Sequence, residues 1–106
     1  MYKVRRTNRF NKEVERLSDE EIKRVNKLIE QLKENPYVGD QLQIKILREK
    51  KLEEKRIYYL IFDDLNAILI IAISNKKAQQ KEIDFAKDNI NNYKGYLRRL
   101  LSNDEN

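Results

Sequence analysis

The spacing of apolar residues changes twice along the chain. Phe10, Val14 and Leu17 recur at intervals of four and three, as on one face of a helix, with Thr7 or Asn8 placed to cap it. The run LSDEEI at 17–22 predicts a second helix start. Ser18 is the N-cap, Glu21 stands three residues on as in a capping box, and Leu17 and Ile22 flank the pair as a hydrophobic staple. Ile22, Val25, Leu28, Ile29 and Leu32 continue the stripe. Pro36 disfavours helical backbone in the residue before it, so this helix ends near Asn35. Ahead of both helices, YKVRRT at 2–7 predicts a short strand with Tyr2, Val4 and Arg6 on one face.

YVGDQLQ at 37–43 reads as a loop that turns at Gly39 and Asp40, and from about Lys45 the period shortens. KILREK at 45–50 and the aromatic, β-branched RIYYLIF at 56–62 predict strands. DDLN at 63–66 is a turn, and AILIIAI at 67–73 is apolar on both faces, which predicts a central strand covered on both sides. Helical spacing returns over 77–101, where Ile83, Ala86, Ile90, Tyr93, Leu97 and Leu100 alternate steps of three and four. Asn89, Asn91, Asn92 and Gly95 weaken that helix and predict a break within 89–95, and the tail SNDEN is expected to fray. The expected fold is α+β. An N-terminal strand and helical hairpin pack on a small antiparallel meander, a C-terminal helix follows, and 1–106 form a single domain.

Composition narrows the chemistry. The chain is 40% hydrophobic and 39% charged, enough for one core under a heavily charged surface. With no cysteine and no histidine, disulfides, thiol nucleophiles, Ser-His-Asp triads and nearly all zinc sites are excluded. Catalysis falls to Lys, Arg, Tyr, Ser, Thr, Asp or Glu. The run 67–73 is too short to cross a membrane, and MYKVRRTNRF has no apolar signal core, so a cytoplasmic protein is expected.

The net charge of +5 is unevenly spread: basic residues outnumber acidic ones in 1–16, 45–56 and 76–99. If these segments meet on one face they make a basic concavity suited to a phosphate backbone. Otherwise they are solvated surfaces, and the lysines of 48–56 serve to keep an edge hairpin soluble. Arg48 and Lys50 share a strand face. If Lys50 pairs with Arg56, then Arg48, Lys50, Arg56 and Tyr58 lie together. If Lys50 pairs with Lys55, Arg56 joins Glu49 on the other face, because a one-residue slip reverses every side chain. Lys76 and Lys77 follow the central strand and are placed to close such a site. Glu49 and Glu53 are proton carriers or surface counter-ions, and Tyr58 and Tyr59 read as core packing before catalysis.

The element order, with ENPYVGDQL after the second helix, KRIYYLIF as a hairpin strand and AISNKKAQQ after the last strand, resembles the RelE/ParE superfamily of type II toxin–antitoxin toxins over about residues 2–90. The archaeal RelE-like branch is the most similar. The resemblance implies a metal-independent mRNA endonuclease, a ribosome-dependent interferase in which a 2′-hydroxyl attacks the adjacent phosphate. It implies no cofactor. Its implied partners are the ribosome, mRNA and a cognate antitoxin, in a homodimer or a heterotetramer with that antitoxin. The alternatives are a ParE-like toxin that inhibits DNA gyrase without cutting RNA, or an inactive binding module of the same fold. Arg56 matches the family's strand arginine. Arg48 and Lys50 match its alternating basic pair if the turn that follows is one residue shorter, and of these only Lys50 can act as base, since arginine stays protonated. Lys77 falls where active members have arginine. Arg6, Arg9, Lys45, Lys51 and Lys76 are the expected RNA-binding cations. Ile83 stands where the family carries a tyrosine, which leaves Tyr58, Tyr59, Tyr93 and Tyr96 as the nearby phenols. The outer half of the last seam, Tyr93 to Leu101, exceeds what a small sheet covers and is expected to meet an antitoxin helix or a second copy.

Overall fold

In the computed structural model, which describes residues 1–104, the chain opens with strand β1 (Lys3–Arg6) and helices α1 (Asn8–Val14) and α2 (Asp19–Glu34). Four strands follow: β2 (Asp40–Leu42), β3 (Ile44–Leu52), β4 (Lys55–Phe62) and β5 (Ala67–Asn75). Helices α3 (Gln79–Asp88) and α4 (Ile90–Asp104) close the chain. The α+β class, the helical hairpin and the β3–β4–β5 antiparallel meander match expectation. So do the local signals. Thr7 caps α1, accepting from the Phe10 N–H, and both halves of the Ser18–Glu21 capping box form. Asn35 is the C-cap of α2. Asn66 turns the chain between β4 and β5 with a φ of 51°, a left-handed conformation that asparagine tolerates.

Two features differ from expectation. The loop at 37–43 contributes a short edge strand, β2, which pairs with β3. The N-terminal strand joins the sheet beside β5 and runs parallel to it, giving the order β1-β5-β4-β3-β2. The break expected within 89–95 falls at Asn89, which divides the C-terminal segment into two helices and whose side-chain amide donates to the Phe85 carbonyl. Of the tail expected to fray, 102–104 continue α4 and 105–106 lie outside the described residues.

The sheet divides the core in two. Phe10, Val25, Leu28 and Leu32 from α1 and α2 pack on Ile57, Tyr59, Ile61, Ile68 and Ile70. On the opposite face Ile83, Ala86 and Leu97 from α3 and α4 pack on Leu47, Tyr58, Leu60, Leu69 and Ile71. Each fully buried Leu or Ile contributes roughly 1.5–3 kcal/mol, so covering both faces of β5 accounts for its apolar run. The β4–β5 register shifts between Tyr58 and Tyr59. At that bulge Ile71 and Ala72 both face the α3–α4 layer, and the Ile71 carbonyl accepts from the Thr7 hydroxyl at 2.9 Å. The cap of α1 is thereby fastened to the centre of the sheet.

Candidate functional site at the β3–β4 hairpin

The hairpin closes on Glu53 and Glu54 with Leu52 opposite Lys55, and Glu53 takes a φ of 56° at the first turn position. This two-residue turn fixes the register: Lys51 pairs with Arg56, Lys50 with Ile57, Glu49 with Tyr58 and Arg48 with Tyr59. Pairs directly opposite share a face. Arg56 therefore lies with Lys51, Glu49 and Tyr58 on the α3 side, while Arg48 and Lys50 point to the α2 side.

The four residues expected to act together are thus split. Arg56 and Lys77 line one open cavity of about 460 Å³ with Glu53, Glu54, Asn75 and Lys76. Arg48 stacks over the Tyr37 ring at 4.9 Å and donates to the Gly39 carbonyl at 3.1 Å, a bracing role for the 36–39 loop. Lys50 lies in a separate groove with Arg24, Lys27 and Gln31 of α2. Of the expected RNA-binding cations, Lys51 and Lys76 are exposed beside the Arg56 site. Lys45 is exposed further along β3 and Arg6 lies over the Phe10 ring. Arg9 is engaged by Glu82 through two 2.8 Å contacts and by Glu13.

Arg56 is 8% exposed and Glu49 5%, so the pair sits within the fold rather than on it. The Arg56 Nε is 3.5 Å from the Glu49 Oε1 and has no hydrogen-bond acceptor. Its Nη1 reaches the Glu53 and Lys55 carbonyls only at 3.5 and 3.4 Å. A buried guanidinium with its donors this weakly used is unfavourable unless something else supplies acceptors. Glu49 is held from α3, where Gln79 donates to its Oε1 at 2.8 Å, while Oε2 has no partner among the described residues. The Tyr58 hydroxyl is 2.8 Å from Ser74, and burial pushes its pKa up, so it stays protonated at neutral pH. Asn75 caps the turn carrying Lys76 and Lys77 by accepting from the Ala78 N–H, which fixes where the two lysines leave β5.

Tyr59 faces the other way. It donates to the Pro36 carbonyl at 2.8 Å and accepts from the Gly39 N–H at 2.9 Å, which makes it a structural anchor. Among the described residues no group of three or more acidic side chains is placed to hold a metal ion. The Glu49–Arg56 partnership is the element that the alternating-basic pattern concealed. The signal for it was the length of the turn, which sequence spacing left open by one residue.

No family model matches the chain, and no curated protein matches it. Solved structures do. A chain of the intact E. coli RelBE toxin–antitoxin complex aligns with a TM-score of 0.63 at 18% identity, over 71% of this chain and 96% of that one. A chain of the archaeal RelE-RelB complex from Pyrococcus horikoshii OT3 aligns with a TM-score of 0.66 at 17% identity, over 71% and 94%. The isolated E. coli RelE toxin aligns with a TM-score of 0.63 at 15% identity, over 79% and 97%. The chain has the fold of the RelE toxins.

Proposed function

We propose that this RelE-fold chain is the toxin of a type II toxin–antitoxin module, countered by a cognate antitoxin, and that it cuts ribosome-bound mRNA at the Arg56 site without a metal. One observation carries the reading: the buried Arg56 guanidinium, whose Nε has no acceptor, lines a cavity together with Lys76 and Lys77. Phosphate oxygens are the acceptors such a guanidinium fits, and fixed cations there stabilise the charge that builds in the transition state.

The step follows from the residues at hand. The RNA 2′-hydroxyl gives its proton to Glu49 Oε2, and its oxygen forms a bond to the adjacent phosphorus. The bond from phosphorus to the 5′-oxygen breaks, and that oxygen takes a proton from the Lys77 ammonium. The products are a 2′,3′-cyclic phosphate and a 5′-hydroxyl. Glu49 replaces Lys50 as the base because Lys50 lies on the far side of the sheet. Arg56 binds the phosphate.

The test is primer-extension mapping of messages in a translating extract. Wild type is compared with Arg56→Lys, which keeps the charge without the bidentate fork, and with Lys77→Ala, an exposed change. New RNA ends that weaken in both variants support the reading. Growth arrest without new ends overturns it in favour of a protein target.

A further inference from the structure

A second cavity, of about 330 Å³, opens between α3 and α4 and is lined by Phe85, Asn89, Asn92, Tyr93, Tyr96 and Arg99. Thr7, the cap of α1, forms its floor and is already satisfied by Ile71 and Phe10. The volume is at the small end of the roughly 300–1,000 Å³ usual for ligand pockets. We infer that this cavity receives a nucleobase of the same single-stranded RNA whose phosphate binds at Arg56, an inference that rests on the RNA reading above.

The lining has the chemistry of base recognition. Phe85 is 51% exposed, a phenyl ring left in water at the cavity mouth. Arg99 lies 6.0 Å from the centre of the Tyr96 ring, which places a guanidinium beside a second aromatic surface. Single-stranded RNA is held by stacking on such rings and on arginine, with hydrogen bonds to the edges of unstacked bases. Polar groups for those edges are present. The Tyr93 and Tyr96 hydroxyls and the Arg99 guanidinium have no hydrogen-bond partner among the described residues, and Asn92 donates only to Asn89. An apolar side chain from a partner protein would fill the space and leave these groups unpaired. A base has acceptors and donors at its rim to meet them.

Helix α3 connects the two sites. Its first residue, Gln79, holds Glu49, and Phe85 lies six residues on, about 9 Å along the axis. Glu82, Phe85 and Asn89 follow at spacings of three and four, so one face of α3 runs from the Arg56 site to the cavity. The acid on that path, Glu82, is neutralised by Arg9. A strand laid along this face meets no uncompensated carboxylate from Glu82.

The experiment is a titration of the full ¹⁵N-labelled chain, followed by amide shifts, with adenosine or uridine 5′-monophosphate and with ribose 5-phosphate as the base-free control. The nucleotides should shift amides within 85–99, and ribose 5-phosphate only those near Arg56, Lys76 and Lys77. Phe85→Ala and Arg99→Gln should each weaken the nucleotide effect at 85–99 by at least about fivefold, leaving the ribose 5-phosphate response unchanged. The inference is overturned if ribose 5-phosphate shifts 85–99 equally, or if nucleotides leave that segment unmoved. It is also overturned if 85–99 respond to protein concentration in a way that Phe85→Ala abolishes, since the occupant is then a second copy. Loss of the response near Arg56 with the 85–99 response intact would count against the Arg56 reading alone.

Discussion

Lys51, and not Lys50, stands directly across the β3–β4 ladder from Arg56. That single pairing puts Glu49 beside Arg56 and turns Arg48 and Lys50 to the opposite side of the sheet. The site becomes an acid–base partnership instead of a row of cations.

Glu49 and Lys50 should therefore exchange the roles that their charges suggest. Glu49→Gln is expected to lower the cleavage rate by about 10²–10⁴, the usual contribution of a positioned general base, while Lys50→Gln leaves it unchanged. Single-turnover cleavage of a defined message on purified ribosomes measures both. Equal losses would place the base elsewhere.

The buried pair should contribute little to net stability. Arg56→Met strands the Glu49 carboxylate and is expected to cost about 3 kcal/mol in urea unfolding. Adding Glu49→Leu should recover most of that loss, because two apolar side chains then replace two desolvated charges. A double variant as unstable as the single would make the pair a structural device.

Around Tyr59 the packing is unforgiving. A Cβ added to Gly39 would lie 2.5 Å from the Glu49 carbonyl oxygen and 2.7 Å from the Tyr59 hydroxyl. Gly39→Ala is expected to destabilise by roughly 1–3 kcal/mol through overpacking. Tyr59→Phe, which orphans the Gly39 N–H and the Pro36 carbonyl, should cost about 1–3 kcal/mol. Equilibrium unfolding reads both, and cleavage per folded molecule should change in neither.

Alkaline pH should loosen the N-terminal strand. Tyr2 donates to Asp63 at 2.7 Å and Tyr37 donates to the other carboxylate oxygen at 3.0 Å. The bond to Asp63, with burial and the carboxylate's charge, pushes the Tyr2 phenol up to about 12 from 10.0. A folded-state value above the unfolded one stabilises fully below pH 10.0, and that stability is lost as pH rises towards 12. Thermal melts from pH 9 to 12 should fall less steeply for Tyr2→Phe than for wild type.

Much of this protein is written locally. The Thr7 and Ser18 caps, the stop before Pro36 and the two-faced apolar run of β5 each follow from short-range chemistry: a side-chain acceptor for orphan N–H groups, a ring that forbids helix, a strand buried on both sides. The break at Asn89 is local too, foreshadowed by poor helix formers, whereas the parallel seating of β1 beside β5 and the strand at 40–42 depend on partners distant in sequence, and no local pattern carries them. The site divides along the same line. The sequence by itself determined that Arg56 begins a core strand and that a charged turn precedes it. Which neighbours Arg56 keeps was decided only when β3 met β4 across a two-residue turn, because side chains alternate with period two and one residue of register exchanges a lysine for a glutamate.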